Sequence, residues 1–259
     1  MACFRVYTFD INPNGDEPPA SPSLRATLHL PAMQEDASVA LLGIHTGPFT
    51  NTSSQLSRPS KPFVTAPHAR IHVITIDLVN SLNPAQPASS CLIVIRNKTF
   101  LSCVNDAEPS DVAWEDWGPS QTRWILGGTG SQWLRYVHGE RLVRLHPPVD
   151  DGSPYLEVYD FGSPRGPPSW ATPQEMNLMK QPHALCFDTV FKAPVAFYLP
   201  CRVMTKRETF PYSGFMVDED RLIGLKVRDC QSTLVDSKYS NVLQRHWNDD
   251  ATSVDVYTF

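Results

Sequence analysis

Short runs of β-branched and aromatic residues alternate along this chain with stretches dense in Pro, Gly, Ser and Asn, the pattern of strands separated by turns. Residues 4–9, 71–78, 91–95, 99–104, 141–145, 156–161, 195–203 and 222–227 each read as a strand. The punctuating segments are 12–23, 47–62, 80–90, 147–154 and 162–173, and they hold most of the 24 prolines. Proline lacks a backbone donor and is excluded from helix interiors and central strands, so these segments read as connections. Helical patterning is scarce. One candidate runs over 172–179, where Thr172 can cap and Pro173 can occupy the first turn. The class expected is all-β, a single domain over residues 1–259.

The strands resemble one another, and self-similarity at long spacing is the mark of a repeat architecture. Arg5-Val6-Tyr7-Thr8-Phe9, Glu157-Val158-Tyr159-Asp160-Phe161 and Asp255-Val256-Tyr257-Thr258-Phe259 share the order charged, Val, Tyr, polar, Phe. His72-Val73-Ile74-Thr75-Ile76 is a looser fourth copy. The second pair, Glu140-Arg141-Leu142-Val143-Arg144-Leu145 and Asp220-Arg221-Leu222-Ile223-Gly224-Leu225, reads as returning strands after polar turns at 136–140 and 217–220. The first residues of the four copies lie 67, 85 and 98 residues apart, close to two units of the roughly 40 to 45 residues of a propeller blade. Both faces of the shared strand carry apolar groups, as in blades stacked around an axis, where each sheet is covered twice. The expected architecture is a β-propeller, complete or incomplete, or a propeller-like array of short antiparallel sheets. The strands at 4–9 and 254–259 are expected to meet and close it.

Composition narrows the function. Hydrophobic residues are 41% and charged residues 19%, the balance of a folded chain rather than a disordered one. A net charge of −5 with interspersed signs supplies no basic face, so nucleic acid is not an expected partner. No stretch reaches the roughly 18 apolar residues of a membrane span, and the first ten residues have no signal-peptide pattern. Cys3, Cys91, Cys103, Cys186, Cys201 and Cys230 are far apart and form no C-x-x-C or zinc spacing. Buried reduced thiols in a cytoplasmic or nuclear protein are the expectation.

No catalytic motif is present: no G-x-S-x-G, no phosphate loop, no H-E-x-x-H. Gly127-Gly128-Thr129-Gly130 lacks the Lys and Ser/Thr that would follow in a phosphate loop and reads as a turn. The eight histidines are scattered, and the acidic pairs Asp150-Asp151 and Asp249-Asp250 read as solvated turn residues rather than glycosidase carboxylates. No enzyme activity, cofactor or metal is expected.

Four of the six tryptophans fall within 20 residues, in the region of Trp114, Trp117, Trp124 and Trp133. Such a cluster is either blade-to-blade packing or a recognition surface, and Trp114, Trp117, Arg123 and Trp124 are the candidate partner-binding residues. Asp116 and Arg123 are close enough in sequence to form a loop-fixing pair.

The runs V-A-W-E-D-W-G-P-S-Q-T-R-W at 112–124, W-L-R-Y-V-H-G-E-R at 133–141, Y-L-E-V-Y-D-F-G-S-P at 155–164, L-P-C-R at 199–202 and F-M-V-D-E-D-R-L-I-G-L at 215–225 resemble the C-terminal region of the F-box protein families of mushroom-forming fungi. Weaker likeness extends through 24–28 and 70–77. The resemblance implies a repeat region that selects targets for ubiquitination, without catalytic residues. Family members also carry an N-terminal helical F-box that docks on a Skp-type adaptor. This chain shows no Leu-Pro-led F-box, so its expected partner is an unidentified protein target rather than the adaptor. Two roles are expected in competition: a non-catalytic protein-interaction module related to ubiquitin-ligase target recognition, or a lectin-like propeller that takes a glycan or small molecule in Trp-lined pockets.

Overall fold

The structure, a computed structural model, describes residues 2–9, 21–47, 67–80, 87–105, 108–127, 136–146, 155–162, 176–181, 183–206, 214–217, 221–227 and 252–258. Its strands, numbered in chain order, form four sheets and one separate hairpin. The first sheet has the order β1-β2-β6, from Cys3–Thr8, Ser23–His29 and Ser110–Val112. The second, β3-β4-β5-β7, comes from Ala37–Thr46, Ile71–Asn80, Pro87–Arg96 and Thr122–Leu126. In the third the order is β11-β14-β10-β9-β8, from Met176–Met179, Cys201–Lys206, Tyr155–Asp160, Arg141–His146 and Val137–His138. The fourth is β15-β16-β17, from Gly214–Val217, Arg221–Val227 and Thr252–Thr258, and the hairpin pairs β12 (His183–Leu185) with β13 (Val195–Phe197). All pairings are antiparallel except β2 with β6. Each sheet is open, so the all-β class holds and closure into a ring is not seen among these strands.

The sheets lie face to face, and three separate cores fill the spaces between them. Leu28 of β2, Ile74, Ile76 and Leu78 of β4, and Cys91, Ile93 and Ile95 of β5 share the first core. On the opposite side of β4 and β5, Ile71, Val73, Leu92 and Val94 meet Leu142, Tyr159, Phe161 and Val203 in the second. The outward side of the third sheet gives Val143, Leu156, Val158 and Met204 to the last core, against Phe215, Val217 and Leu222 of the fourth sheet. Side chains alternate along a strand, so β4 and β5, covered on both faces, are apolar at most positions, while β9 and β10 give Leu142 and Tyr159 to one core and Val143, Leu156 and Val158 to the other. Each such Val, Leu or Ile contributes about 1.5–3 kcal/mol through removal from water.

Backbone and arginine ties join the second and third sheets. Ile71 donates its N–H to Gly139 O at 2.9 Å, and Leu199 to Thr122 O at 3.0 Å. The β8–β9 turn is two residues long, Gly139-Glu140, and Gly139 adopts φ +57°, a left-handed conformation that other residues resist.

Several expectations are corrected. Residues 99–104 are not a strand: Asn97–Asn105 is a helix, α1. The β-branched and aromatic content of that run misleads, whereas Thr99 and Cys103 fall four apart on one buried face and Phe100 packs beside them. The candidate helix over 172–179 is a strand where described, β11 at Met176–Met179, because its residues pair with Cys201–Met204. Residues 172–175 lie outside the described residues. The single strand expected over 195–203 is broken into β13 and β14, since Tyr198 and Leu199 turn their N–H groups to Pro119 O and Thr122 O. The repeated strands are not equivalent: β1 and β17 are edges, while β4 and β10 are inner strands of other sheets. β17 pairs with β16 and not with β1, so the expected meeting of these two strands does not occur.

Candidate functional site

The tryptophan region folds as a second helix, α2 (Trp114–Gln121), leading directly into β7. Glu115 and Asp116 in its first turn suit the positive end of the helix dipole. Pro119 forfeits one internal hydrogen bond, so in this eight-residue helix burial of Trp114 and Trp117 outweighs propensity. Thr122 closes the helix by turning to extended backbone, its hydroxyl donating to Gly118 O at 2.7 Å. The Trp114 indole lies over Gly118 so closely that a Cβ there would sit 2.1 Å from the ring.

All three described indoles are buried in the first core. Trp114 meets Trp117 at 5.3 Å and Trp124 at 5.9 Å between ring centroids, both edge to face, and Trp124 continues to Phe191 at 5.7 Å. Such contacts suit the ring quadrupole. Trp117 Nε1 donates to His29 O at 2.9 Å, tying the helix to the first sheet. Arg123 points to the opposite side of β7. It is buried, donates to Leu199 O at 3.0 Å and Met179 O at 3.3 Å, and its guanidinium stands 5.3 Å from the Phe197 ring centre. Burial draws its pKa below the ordinary value. The three indoles are therefore brought together, whereas Arg123 faces away from them and bonds carbonyls instead of Asp116, and no described indole offers the open face on which a sugar would stack. Trp133 lies outside the described residues, as do Gly128, Thr129, Gly130 and the pairs Asp150-Asp151 and Asp249-Asp250.

A second constellation sits at one end of the space between the second and third sheets. The β9–β10 register sets Arg144 opposite Glu157 and His146 opposite Tyr155. One carboxylate oxygen, Glu157 Oε2, accepts from the Tyr159 hydroxyl at 2.6 Å and lies 2.6 Å from His146 Nε2. The His146 ring stacks on Tyr155 at 4.6 Å, with 3° between the planes. Arg144 reaches across to the second sheet and donates to Leu126 O at 2.9 Å. Burial raises the Glu157 pKa, but the bonds from His146 and Tyr159 and the nearby positive charges outweigh it, leaving the carboxyl below its ordinary range. Tyr159 is pushed up, by burial first and by the adjacent carboxylate second. These groups are engaged with each other, an arrangement that fixes the positions of β9 and β10.

Two buried cysteines lie nearby. Burial pushes Cys91 up to about 12 and Cys201 up to about 11, so at neutral pH both are held as protonated thiols. Among the described residues no cluster of three His, Cys, Asp or Glu could hold a metal ion, and no helix is long and apolar enough to cross a membrane. A shallow groove of about 580 Å³ opens where the 31–35 segment passes Ala2, Val39 and Lys192.

The Arg144–His146–Glu157–Tyr159 network escapes a motif search because no catalytic pattern contains it. Its available signal was local: Arg144 and His146 of β9 and Glu157 and Tyr159 of β10 alternate along facing strands of one hairpin. No protein-family model, curated protein or solved structure matches the chain.

Proposed function

We propose that this chain is a non-catalytic protein-interaction module of the target-recognition kind found in F-box proteins, and that its sheets are blades of a propeller-like array. The observation that carries the reading is the face-to-face stacking of four open sheets, with the two inner sheets covered on both sides by separate cores. Stacked blades bury their sheets in this way, and they hold their connections on a rigid frame. The sequence likeness at 112–124, 155–164 and 215–225 supplies the family side of the argument. The internal pairing of Glu157, His146 and Tyr159 and the raised thiols of Cys91 and Cys201 favour binding over chemistry. The buried indoles weigh against the lectin alternative. The reading carries with it a cytoplasmic or nuclear place of action and a protein target, with no nucleic acid.

An experimental structure tests the architecture: successive sheets disposed about one axis support it, and a flat or two-layered arrangement contradicts it. Affinity capture of the tagged chain from its own cells tests the role. A stable protein partner that is retained by the folded bait and lost by heat-unfolded bait supports recognition. Turnover of a glycoside or ester substrate by purified protein contradicts it.

A further inference from the structure

The four-stranded second sheet has an inner strand on one side of β3 and, among the described residues, no strand on the other. β3 is ten residues long, A-S-V-A-L-L-G-I-H-T, and contains neither a charged residue nor a proline. The other described edge strands longer than five residues each carry a charge: Arg5 in β1 and Asp255 in β17. Charges and prolines are the usual guards against strand pairing at an edge, because an edge presents a row of unpaired donors and acceptors. β3 has one irregularity, a register shift between Leu41 and Gly43, which leaves a regular arm on each side. On the later arm Ile44 is 55% exposed although it pairs with the buried Ile74, and on the earlier arm Ser38 and Ala40 are exposed.

We propose that the free edge of β3 pairs antiparallel with the same edge of a second copy of this chain, joining two four-stranded sheets across a two-fold axis. A two-fold contact uses one patch twice, so that patch must be compatible with itself. An uncharged strand meets its own copy without setting like charges opposite each other. The acidic residues Glu35 and Asp36 lie immediately before β3. An antiparallel pairing centred on the strand keeps these acids of the two copies at opposite ends, whereas a parallel pairing would bring them together. The same centring sets Val39 of one copy across from Ile44 of the other. Val39 packs partly on the first core, so the joined strand would extend that core over the exposed Ile44.

Sedimentation equilibrium of the full chain over a range of concentrations, with hydrogen exchange measured in parallel, tests the proposal. The expected result is a monomer–dimer equilibrium in which β3 amides gain protection as the dimer forms. Ala40→Lys and Ile44→Lys, both at exposed positions, should each raise the dimer dissociation constant by at least about tenfold with an unchanged circular dichroism spectrum. The same substitution at exposed Ser102 on α1 should leave the dimer intact. A chain that is monomeric at every concentration overturns the proposal, whether its β3 amides exchange freely or are covered by another part of the chain. A dimer indifferent to both edge lysines overturns it equally, as does β3 protection that appears only with a captured protein partner on a monomeric chain.

Discussion

β1 and β10 carry the same charged-Val-Tyr-polar-Phe run, yet Tyr7 and the following Phe9 are 41% and 64% exposed while Tyr159 and Phe161 are 7% and 0% exposed. β1 is an edge strand of the first sheet, where Phe4 and Val6 reach the core and the alternate positions face outward. β10 is the central strand of the third sheet, covered by the second on one face and the fourth on the other. The register also differs, since β1 pairs irregularly between Val6 and Tyr7 whereas β10 pairs without a shift on both sides. Strand sequence and strand depth are thus separate properties. A run apolar on both faces is compatible with two-sided burial, but neighbouring sheets decide whether that burial is realised.

The largest expected difference between the two copies is at their phenylalanines. Phe161→Ala should cost about 3–5 kcal/mol, because it removes a fully buried ring and leaves a cavity. Phe9→Ala should stay within about 0.5 kcal/mol, as for other exposed positions. Chemical denaturation with a constant m-value measures both, and equal losses would break the comparison. The tyrosines should differ less. Tyr159→Phe removes a buried hydroxyl bonded to a carboxylate and should cost about 1.5–3 kcal/mol, while Tyr7→Phe should lie within about 0.5 kcal/mol.

The smallest effect concerns the charged first position of each run. Glu157 has a folded pKa below its unfolded one, so its contribution is present above the unfolded value and is lost as pH falls through the folded value. Glu157→Gln should therefore flatten the acid side of the stability profile, while Arg5→Gln, at an exposed site, should leave that profile unchanged. Thermal melts over the carboxylate range measure the two slopes. Half-buried His72 sharpens the picture from another sheet. Desolvation lowers its pKa although its bond to Asn97 opposes the shift, so the folded state binds fewer protons and stability falls as pH drops below about 6.5. His72→Gln should reduce that loss.

Much of the strand content was legible, because period-two alternation and β-branched runs report directly on a pleated, buried backbone. Residues 71–78 and 156–161 are examples. α1 was not legible, since Thr99, Phe100 and Val104 favour strands locally and the decisive factor is the four-residue spacing of Thr99 and Cys103 against the first core. α2 hid behind Gly118 and Pro119, two residues that ordinarily end helices, because its stability comes from tertiary burial of two indoles. β3 was missed for a related reason: with Gly43 within it and exposed positions at Ala40 and Ile44, it has no clean alternation. At the candidate site, the grouping of Trp114, Trp117 and Trp124 followed from proximity along the chain. The direction of Arg123 did not, because it depends on carbonyls 56 and 76 residues away. The Glu157 network required the β9–β10 register, which polar alternation hints at and only pairing establishes.

Native-state hydrogen exchange resolved by residue tests most directly the claim that depth in the stack, and not strand sequence, governs the two copies. The buried core strands should exchange only with global unfolding, and exposed edges through local opening at much lower free energy. The account predicts that the amides of β10 and β5 exchange together at the global free energy of unfolding, while those of β1 exchange far faster and independently of them. Equal protection of β1 and β10 would contradict it.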